Sequence, residues 1–164
     1  MRNWFMAGSH SNDYQDGVDT NTTYNDKISA YLTSRVAEPS GFGTLMQSFK
    51  ADTSREKRMC FSAAVKSEGV ENWAGLWMRI DGSGEDDDLG FDNMGNRPIQ
   101  GTTDWQQYTV VLDVPPESSY ISFGILLCGK GKVWLSNVQF EEVGIDIPVT
   151  SYCPERPGNL DFSS

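Results

Sequence analysis

Cysteine and histidine are scarce in this chain of 164 residues, and each shortage excludes a class of chemistry. The three cysteines, Cys60, Cys128 and Cys153, lack the CxxC spacing of zinc and redox sites. We expect free thiols and a cytoplasmic location, with secretion as the alternative if a signal peptide has been removed. The single histidine, His10, lies in a polar segment, and no Gly-x-Ser-x-Gly motif is present. We therefore predict no catalytic residues.

Long apolar runs and clusters of positive charge are also missing. No stretch approaches the roughly 20 apolar residues that a membrane helix needs, and residues 1–8 are too poor in apolar side chains for a signal-peptide core. Lys and Arg number 13 against 23 Asp and Glu, which gives a formal net charge of −10. Because an acidic protein repels phosphate groups, we expect neither direct nucleic-acid binding nor membrane docking.

The pattern that is present is the period-two alternation of β-strands. Apolar and polar residues alternate in short runs between turn residues, whereas helical periodicity is nearly absent. These runs predict seven strands, at 27–34, 42–50, 58–67, 74–81, 105–114, 119–128 and 132–143, with short additional strands at 4–7 and 89–92. A parity change between Leu135 and Val138 predicts a bulge near Ser136 and Asn137. The expected fold is all-β, a two-sheet antiparallel β-sandwich of the jelly-roll type.

Turn-forming residues delimit this domain. The segment Gly129–Lys132 predicts a tight hairpin turn, since it does not fit the frame of a Walker phosphate loop. Prolines at positions 148, 154 and 157 accompany a loss of alternation near the C-terminus. We predict a sandwich domain over residues 1–147 and an extended or disordered tail over residues 148–164.

Several sequence segments carry a resemblance to known domains: Phe42–Phe49, Ala74–Gly82, Phe91–Met94, Arg97–Ile99, Gly101–Trp105, Val111–Pro115 and Gly131–Glu141. The chain resembles a family of small bacterial domains that occur alone or fused to the helix-turn-helix domains of arabinose-regulator-type transcription factors. The layout is more distantly similar to galactose-binding-like jelly rolls, including carbohydrate-binding modules. This resemblance implies the jelly-roll fold and a regulator as a partner, but no ligand. Ser136 stands where the galactose-binding-like pattern usually has Asp.

The strand at 74–81 carries the candidate site. Leu76, Met78 and Ile80 form an apolar face, while Trp77, Arg79 and Asp81 form a face too polar for a core and too aromatic for ordinary surface. We predict that this second face floors an open groove, where Trp77 stacks on a ligand and the two charged residues hydrogen-bond to it. Neighbouring strands are predicted to add three residues: Gln47, Lys66 and Trp134. The alternative is that Trp77 covers the rim of the sandwich beside a cross-strand ion pair.

These residues favour a non-catalytic module that binds a small polar ligand, with carbohydrate as the first choice. The alternative is an interaction or sensory domain, a homo-oligomer or a regulator's partner, without a sugar ligand. A hydrolase ranks last, because Asp81, Asp92 and Asp113 show no specific pairing. We expect no cofactor or metal. Structural calcium is kept as an alternative, in the acidic segment 82–88 or between the terminal strands.

Overall fold

The computed structural model describes residues 3–84 and 88–150, and it confirms the all-β antiparallel prediction. This part of the chain contains nine strands: β1 (Phe5–Ala7), β2 (Tyr14–Tyr24), β3 (Lys27–Ser34), β4 (Phe42–Lys50), β5 (Arg58–Asp81), β6 (Asp88–Asp92), β7 (Ile99–Asp113), β8 (Tyr120–Cys128) and β9 (Lys132–Val143). Short 3₁₀ turns occur at Ser11–Asp13 and Ala51–Thr53. No helix in the described residues is long and apolar enough to span a membrane.

Strand β5 belongs to both layers of the sandwich. Its residues 58–68 pair with β9 and β7, and its residues 73–81 pair with β8. The front layer therefore has the order β1-β4-β8-β5-β6, and the back layer has the order β2-β3-β9-β5-β7. The sequence predicted two strands here, at 58–67 and 74–81. They are instead one strand of 24 residues, in which register shifts between positions 65 and 74 accommodate the change of layer.

The hydrophobic core lies between the two layers. Phe61 of the back layer and Phe123 of the front layer have ring centroids 4.8 Å apart. Phe140 of β9 stacks on Phe123 with centroids 5.0 Å apart. Aliphatic side chains from both layers surround these rings and are almost completely buried: Leu32, Leu45, Leu76, Ile125 and Val133. Packing against this core determines which face of each strand remains available for a ligand.

Two local predictions have different outcomes in the structure. The predicted bulge in β9 is confirmed, because Ser62 and Ala64 of β5 pair with Gln139 and Ser136, and Asn137 has a φ of 53°. The predicted hairpin at Gly129–Lys132 is wrong. Strands β8 and β9 are not neighbours, since β5 lies between them, and the turn instead carries the chain from the front layer to the back layer.

The C-terminal part of the described chain packs against β5 and β7. Arg58 Nη1 donates hydrogen bonds to the carbonyl oxygens of Ile145 and Ile147, at 3.0 and 2.6 Å. Thr150 N donates to the carbonyl oxygen of Val111 at 2.9 Å. Ordered contacts thus continue to residue 150, while residues 151–164 of the predicted tail lie outside the described residues.

Candidate functional site

A groove of about 530 Å³ lies on the outer face of the front layer. Residues from β4, β8 and β5 form its floor, and residues from β1, β6 and their adjoining loops form its rim. Its lining is mostly apolar and aromatic: Ala7, Gly8, Phe42, Thr44, Met46, Trp73, Trp77, Arg79, Asp81, Phe91, Asn93, Ser122, Leu126 and Cys128. This composition and size are typical of small-ligand sites.

Strand register places the predicted charged and aromatic residues in this groove. Trp77 pairs with Gly124 of β8, which in turn pairs with Met46 of β4, so these residues form one row across the floor. Arg79 lies in the next row, two residues further along β5. Because side chains alternate along a strand, the intervening Met78 points into the core. The structure thus brings Trp77, Arg79 and Asp81 together, as predicted.

The indole of Trp77 is more tightly packed than the sequence predicted. Trp77 is only 8% exposed. Its Nε1 donates a hydrogen bond of 2.8 Å to Thr44 Oγ1. Thr44 Oγ1 donates in turn to the carbonyl oxygen of Ile125 at 2.8 Å. Since β8 lies between β4 and β5, the indole crosses β8 and is fixed at its far end. Trp77 is therefore a rigid floor of the groove and not a freely exposed ring.

Position 124, on β8 between Trp77 and Met46, has no room for a side chain. A Cβ built at this position would lie 2.8 Å from Met46 Cα and 2.9 Å from Met46 Cβ. We expect Gly124→Ala to push β4 and β8 apart and to lower the free energy of unfolding by about 1–3 kcal/mol, as overpacking does. Urea unfolding measures this loss. Gly90→Ala is the control, because a Cβ there comes no closer than 3.4 Å to Ile80 and its φ is not positive. A loss of only a few tenths of a kcal/mol in Gly124→Ala would contradict the close approach.

A charged pair lies at one end of the groove. Arg79 Nε donates to Asp81 Oδ1 at 2.7 Å, and the side chains are 44% and 27% exposed. The pair joins two residues of the same strand, and it is not the cross-strand pair considered from sequence. Because both side chains remain partly exposed at the groove, they can offer donors and acceptors to a bound molecule.

Two aromatic residues of the groove were not predicted. Phe91 of β6 pairs with Arg79 and is 44% exposed, so its ring forms part of the rim. Trp73 pairs with Cys128 and lines the opposite end. A strand prediction that extended through residues 68–73 would have placed Trp73 on the same face as Trp77, since the two are four residues apart.

A buried ion pair supports the rim behind Phe91. Asp92 has a side chain only 4% exposed and accepts from Arg97 Nη2 at 2.7 Å and from Thr150 Oγ1 at 2.6 Å. Burial raises the pKa of the Asp92 carboxyl, but the hydrogen bonds from Arg97, Thr150 and the Met94 backbone outweigh it and hold the pKa below its usual value. Because Asp92 lies between Phe91 and Asn93, these bonds fix the rim to the body of the domain.

The prediction that Gln47, Lys66 and Trp134 join this groove is wrong. Gln47 pairs with Phe123, whose ring is in the core, so Gln47 faces the opposite side of β4 from the groove. Lys66 pairs with Trp134 on the outer face of the back layer. The reason is the length of β5: Lys66 and Arg79 share a strand but lie in different layers of the sandwich.

Trp134 has structural contacts of its own. It is 5% exposed, and its Nε1 donates to Asp19 Oδ2 at 3.0 Å. Hydrogen bonds from the Thr22 backbone, from Trp134 and from the Asn21 backbone lower the pKa of Asp19 to about 2. Lys132 Nζ lies 4.7 Å from the ring centroid of Trp134. These contacts hold the β2–β3 hairpin on the back layer.

The described residues contain no group of three or more His, Cys, Asp or Glu side chains able to hold a metal ion. Three of the four consecutive carboxylates in the acidic segment where calcium was considered, residues 85–87, lie outside the described residues. Cys60 and Cys128 are free thiols, as expected from sequence, whereas Cys153 lies outside the described residues.

The chain resembles known proteins both in sequence and in structure. No family model matches the chain. It is 47% identical over 161 residues to the uncharacterized HTH-type transcriptional regulator YbfP of Bacillus subtilis, covering 98% of this chain and 54% of that protein. The chain thus spans about half the length of this relative. The predicted likeness to regulator-associated domains is confirmed at this level.

Solved structures with the same fold include carbohydrate-binding modules. The xylan-binding CBM22-1 domain of Paenibacillus barcinonensis Xyn10C has a TM-score of 0.60 and 19% identity, covering 87% of this chain and 86% of that one. The C-terminal family 22 module of Clostridium thermocellum Xyn10B has a TM-score of 0.58 and 12% identity, covering 90% and 89%. A family 30 module has a TM-score of 0.58 and 17% identity, covering 94% and 88%. The β-sandwich fold is confirmed.

Proposed function

We propose that this chain is a non-catalytic module that binds a carbohydrate in the groove above Trp77. The observation that carries the proposal is a groove of about 530 Å³ that combines a fixed indole floor with partly exposed charged groups. The fold supports it, since the structural neighbours include a xylan-binding module.

The groove offers the two kinds of contact that a sugar needs. The C–H face of a pyranose ring is apolar and stacks on an aromatic ring, so the groove side of Trp77 and the exposed ring of Phe91 provide stacking surfaces. The hydroxyl groups at the ring's edge both donate and accept hydrogen bonds. Arg79 supplies donors and Asp81 supplies acceptors at one end of the groove. Because the indole is already fixed by Thr44, binding costs little ordering of the site.

Phe91→Ala is the variant that tests this proposal with the least disturbance. Phe91 is 44% exposed, so removal of its ring is expected to change stability by only about 0.5 kcal/mol. We expect xylo- or cello-oligosaccharides to raise the melting temperature of the wild type by several degrees at about 100 times their dissociation constant, where binding adds about 2.7 kcal/mol. In Phe91→Ala this increase should be strongly reduced.

Ile28→Ala is the matched control, since Ile28 is 59% exposed and lies on β3 of the back layer. It should retain the full ligand-induced increase. If no xylo-, cello- or galacto-oligosaccharide shifts the wild type, carbohydrate binding in this groove is refuted.

A second candidate function rests on the identity to the transcriptional regulator of Bacillus subtilis. In that proposal the domain is a sensory or interaction module, and its partner is a regulator or a second copy of the chain without any sugar. A mass that rises with protein concentration, measured by light scattering, together with no response to any oligosaccharide would favour it over carbohydrate binding.

A further inference from the structure

We infer that the binding surface continues beyond the groove into a second hollow beside Tyr120, and that its ligand is a linear oligosaccharide longer than one sugar. This inference rests on the proposed function. The second hollow has a volume of about 410 Å³ and is lined by polar residues around one exposed ring: Lys50, Asp52, Arg55, Ser83, Ser119 and Tyr120.

Strand register shows that the groove and the second hollow share one face. Asp81, at the end of the groove, pairs directly with Tyr120 of β8. Tyr120 in turn pairs with Lys50 of β4. Directly opposed residues of antiparallel strands project to the same side, so Tyr120 and Lys50 lie on the groove side of the front layer. The Arg79–Asp81 pair therefore lies between the two hollows.

The length of this face exceeds that of a single sugar ring. Trp77 and Asp81 are four residues apart on β5, which corresponds to about 13 Å along the strand. Trp73 lies a further four residues, or about 13 Å, in the opposite direction. Three aromatic side chains, Trp73, Trp77 and Tyr120, thus follow one another along the surface at intervals that a monosaccharide cannot bridge.

The second hollow repeats the chemistry of the groove in a more polar form. Tyr120 is 50% exposed and presents an aromatic face, while Ser83, Ser119 and Lys50 supply hydroxyl and ammonium groups around it. The guanidinium of Arg55 is held by Asp52 at 3.2 Å, so the hollow is not a concentrated cationic site for an anion. An aromatic face surrounded by hydroxyl groups and by charged hydrogen-bonding groups of both signs fits a further sugar unit of the same oligosaccharide.

Chain-length dependence tests the inference by isothermal titration with xylose and xylo-oligosaccharides of two to six units, and with the cello series in parallel. We expect the wild-type affinity to rise with length and Tyr120→Ala to lower affinity for the hexasaccharide about five- to tenfold, while changing affinity for the disaccharide less than twofold. Tyr120→Phe keeps the ring and should retain the wild-type affinity. Thermal unfolding establishes that each variant is folded.

The outcomes separate this inference from the proposed function. If oligosaccharides bind and Phe91→Ala weakens them, but affinity does not depend on length or on Tyr120, the extended surface is refuted and the groove proposal stands. If no oligosaccharide of either series binds, and no galacto-oligosaccharide shifts the melting temperature of the wild type, both are refuted together.

Discussion

Replacing Trp77 with alanine is expected to destabilise the domain as well as to abolish ligand binding. The residue is 8% exposed and its indole crosses β8 to reach Thr44. Truncation to alanine leaves an unfilled space at the floor of the groove, where the indole packs over β8, and removes the donor of a buried hydrogen bond. The expected loss in the free energy of unfolding is about 3–5 kcal/mol, as for other large buried aromatic residues. Urea unfolding followed by circular dichroism measures it.

Trp77→Phe is the control for the contribution of the hydrogen bond. It keeps an aromatic ring but leaves Thr44 Oγ1 without its donor, so the expected loss is smaller, on the order of 1–2 kcal/mol. A Trp77→Ala variant that unfolds at the wild-type urea concentration would show that the ring is open to solvent, as the sequence had predicted, and would contradict its packing across β8.

Removal of Arg97 is expected to have the second large effect. Arg97→Ala leaves the carboxylate of Asp92, whose side chain is 4% exposed, without its charged partner. Breaking a buried ion pair lowers the free energy of unfolding by about 3–5 kcal/mol. We expect about 3 kcal/mol here, because the Arg97 side chain is 32% exposed. Since Asp92 supports the rim beside Phe91, ligand affinity should fall as well. Urea unfolding at pH 7 gives the loss in stability.

The pH dependence of unfolding identifies the carboxylate responsible. In the wild type the pKa of Asp92 is lowered, so its contribution to stability is complete above the unfolded-state pKa of about 3.9. That contribution is lost as the pH falls through the lower folded-state pKa. Without Arg97, burial opposes ionisation of Asp92 and raises its folded-state pKa toward or above the unfolded-state value, so the loss of stability on acidification should be smaller than in the wild type. Asp92→Asn should remove most of this acid dependence.

If Arg97→Ala changed neither the free energy of unfolding at pH 7 nor its dependence on pH in acid, the role assigned to the Arg97–Asp92 pair would be contradicted. Arg79→Ala serves as a comparison, because its partner Asp81 is 27% exposed and remains solvated when unpaired. Its effect on stability should stay below about 1 kcal/mol.

Local alternation was sufficient to predict most strands and the composition of the groove floor. The faces of a strand depend only on its own period of two, so Trp77, Arg79 and Asp81 were separated correctly from Leu76 and Met78. Residues contributed by other strands depend on sheet order, which alternation does not contain. Gln47, Lys66 and Trp134 were placed in the groove for lack of that information, and register assigns them to other faces.

The missed strand β2 has a different physical origin. Its sequence is rich in Asp, Asn, Gly and Thr, of which all but Thr are depleted in strands. It lies at the edge of the back layer and, within the part of the chain that the structure describes, pairs with β3 alone; this pairing compensates for a weak local preference. Polar side chains also suit an exposed edge, because they discourage pairing with other chains.

Strand β5 passes through both layers and so ties them together. Parting of the two layers would break the hydrogen bonds of β5 with β8 or with β9. The front layer therefore cannot swing away from the back layer as a separate half, and we expect a ligand of the groove to meet a surface whose shape is already set.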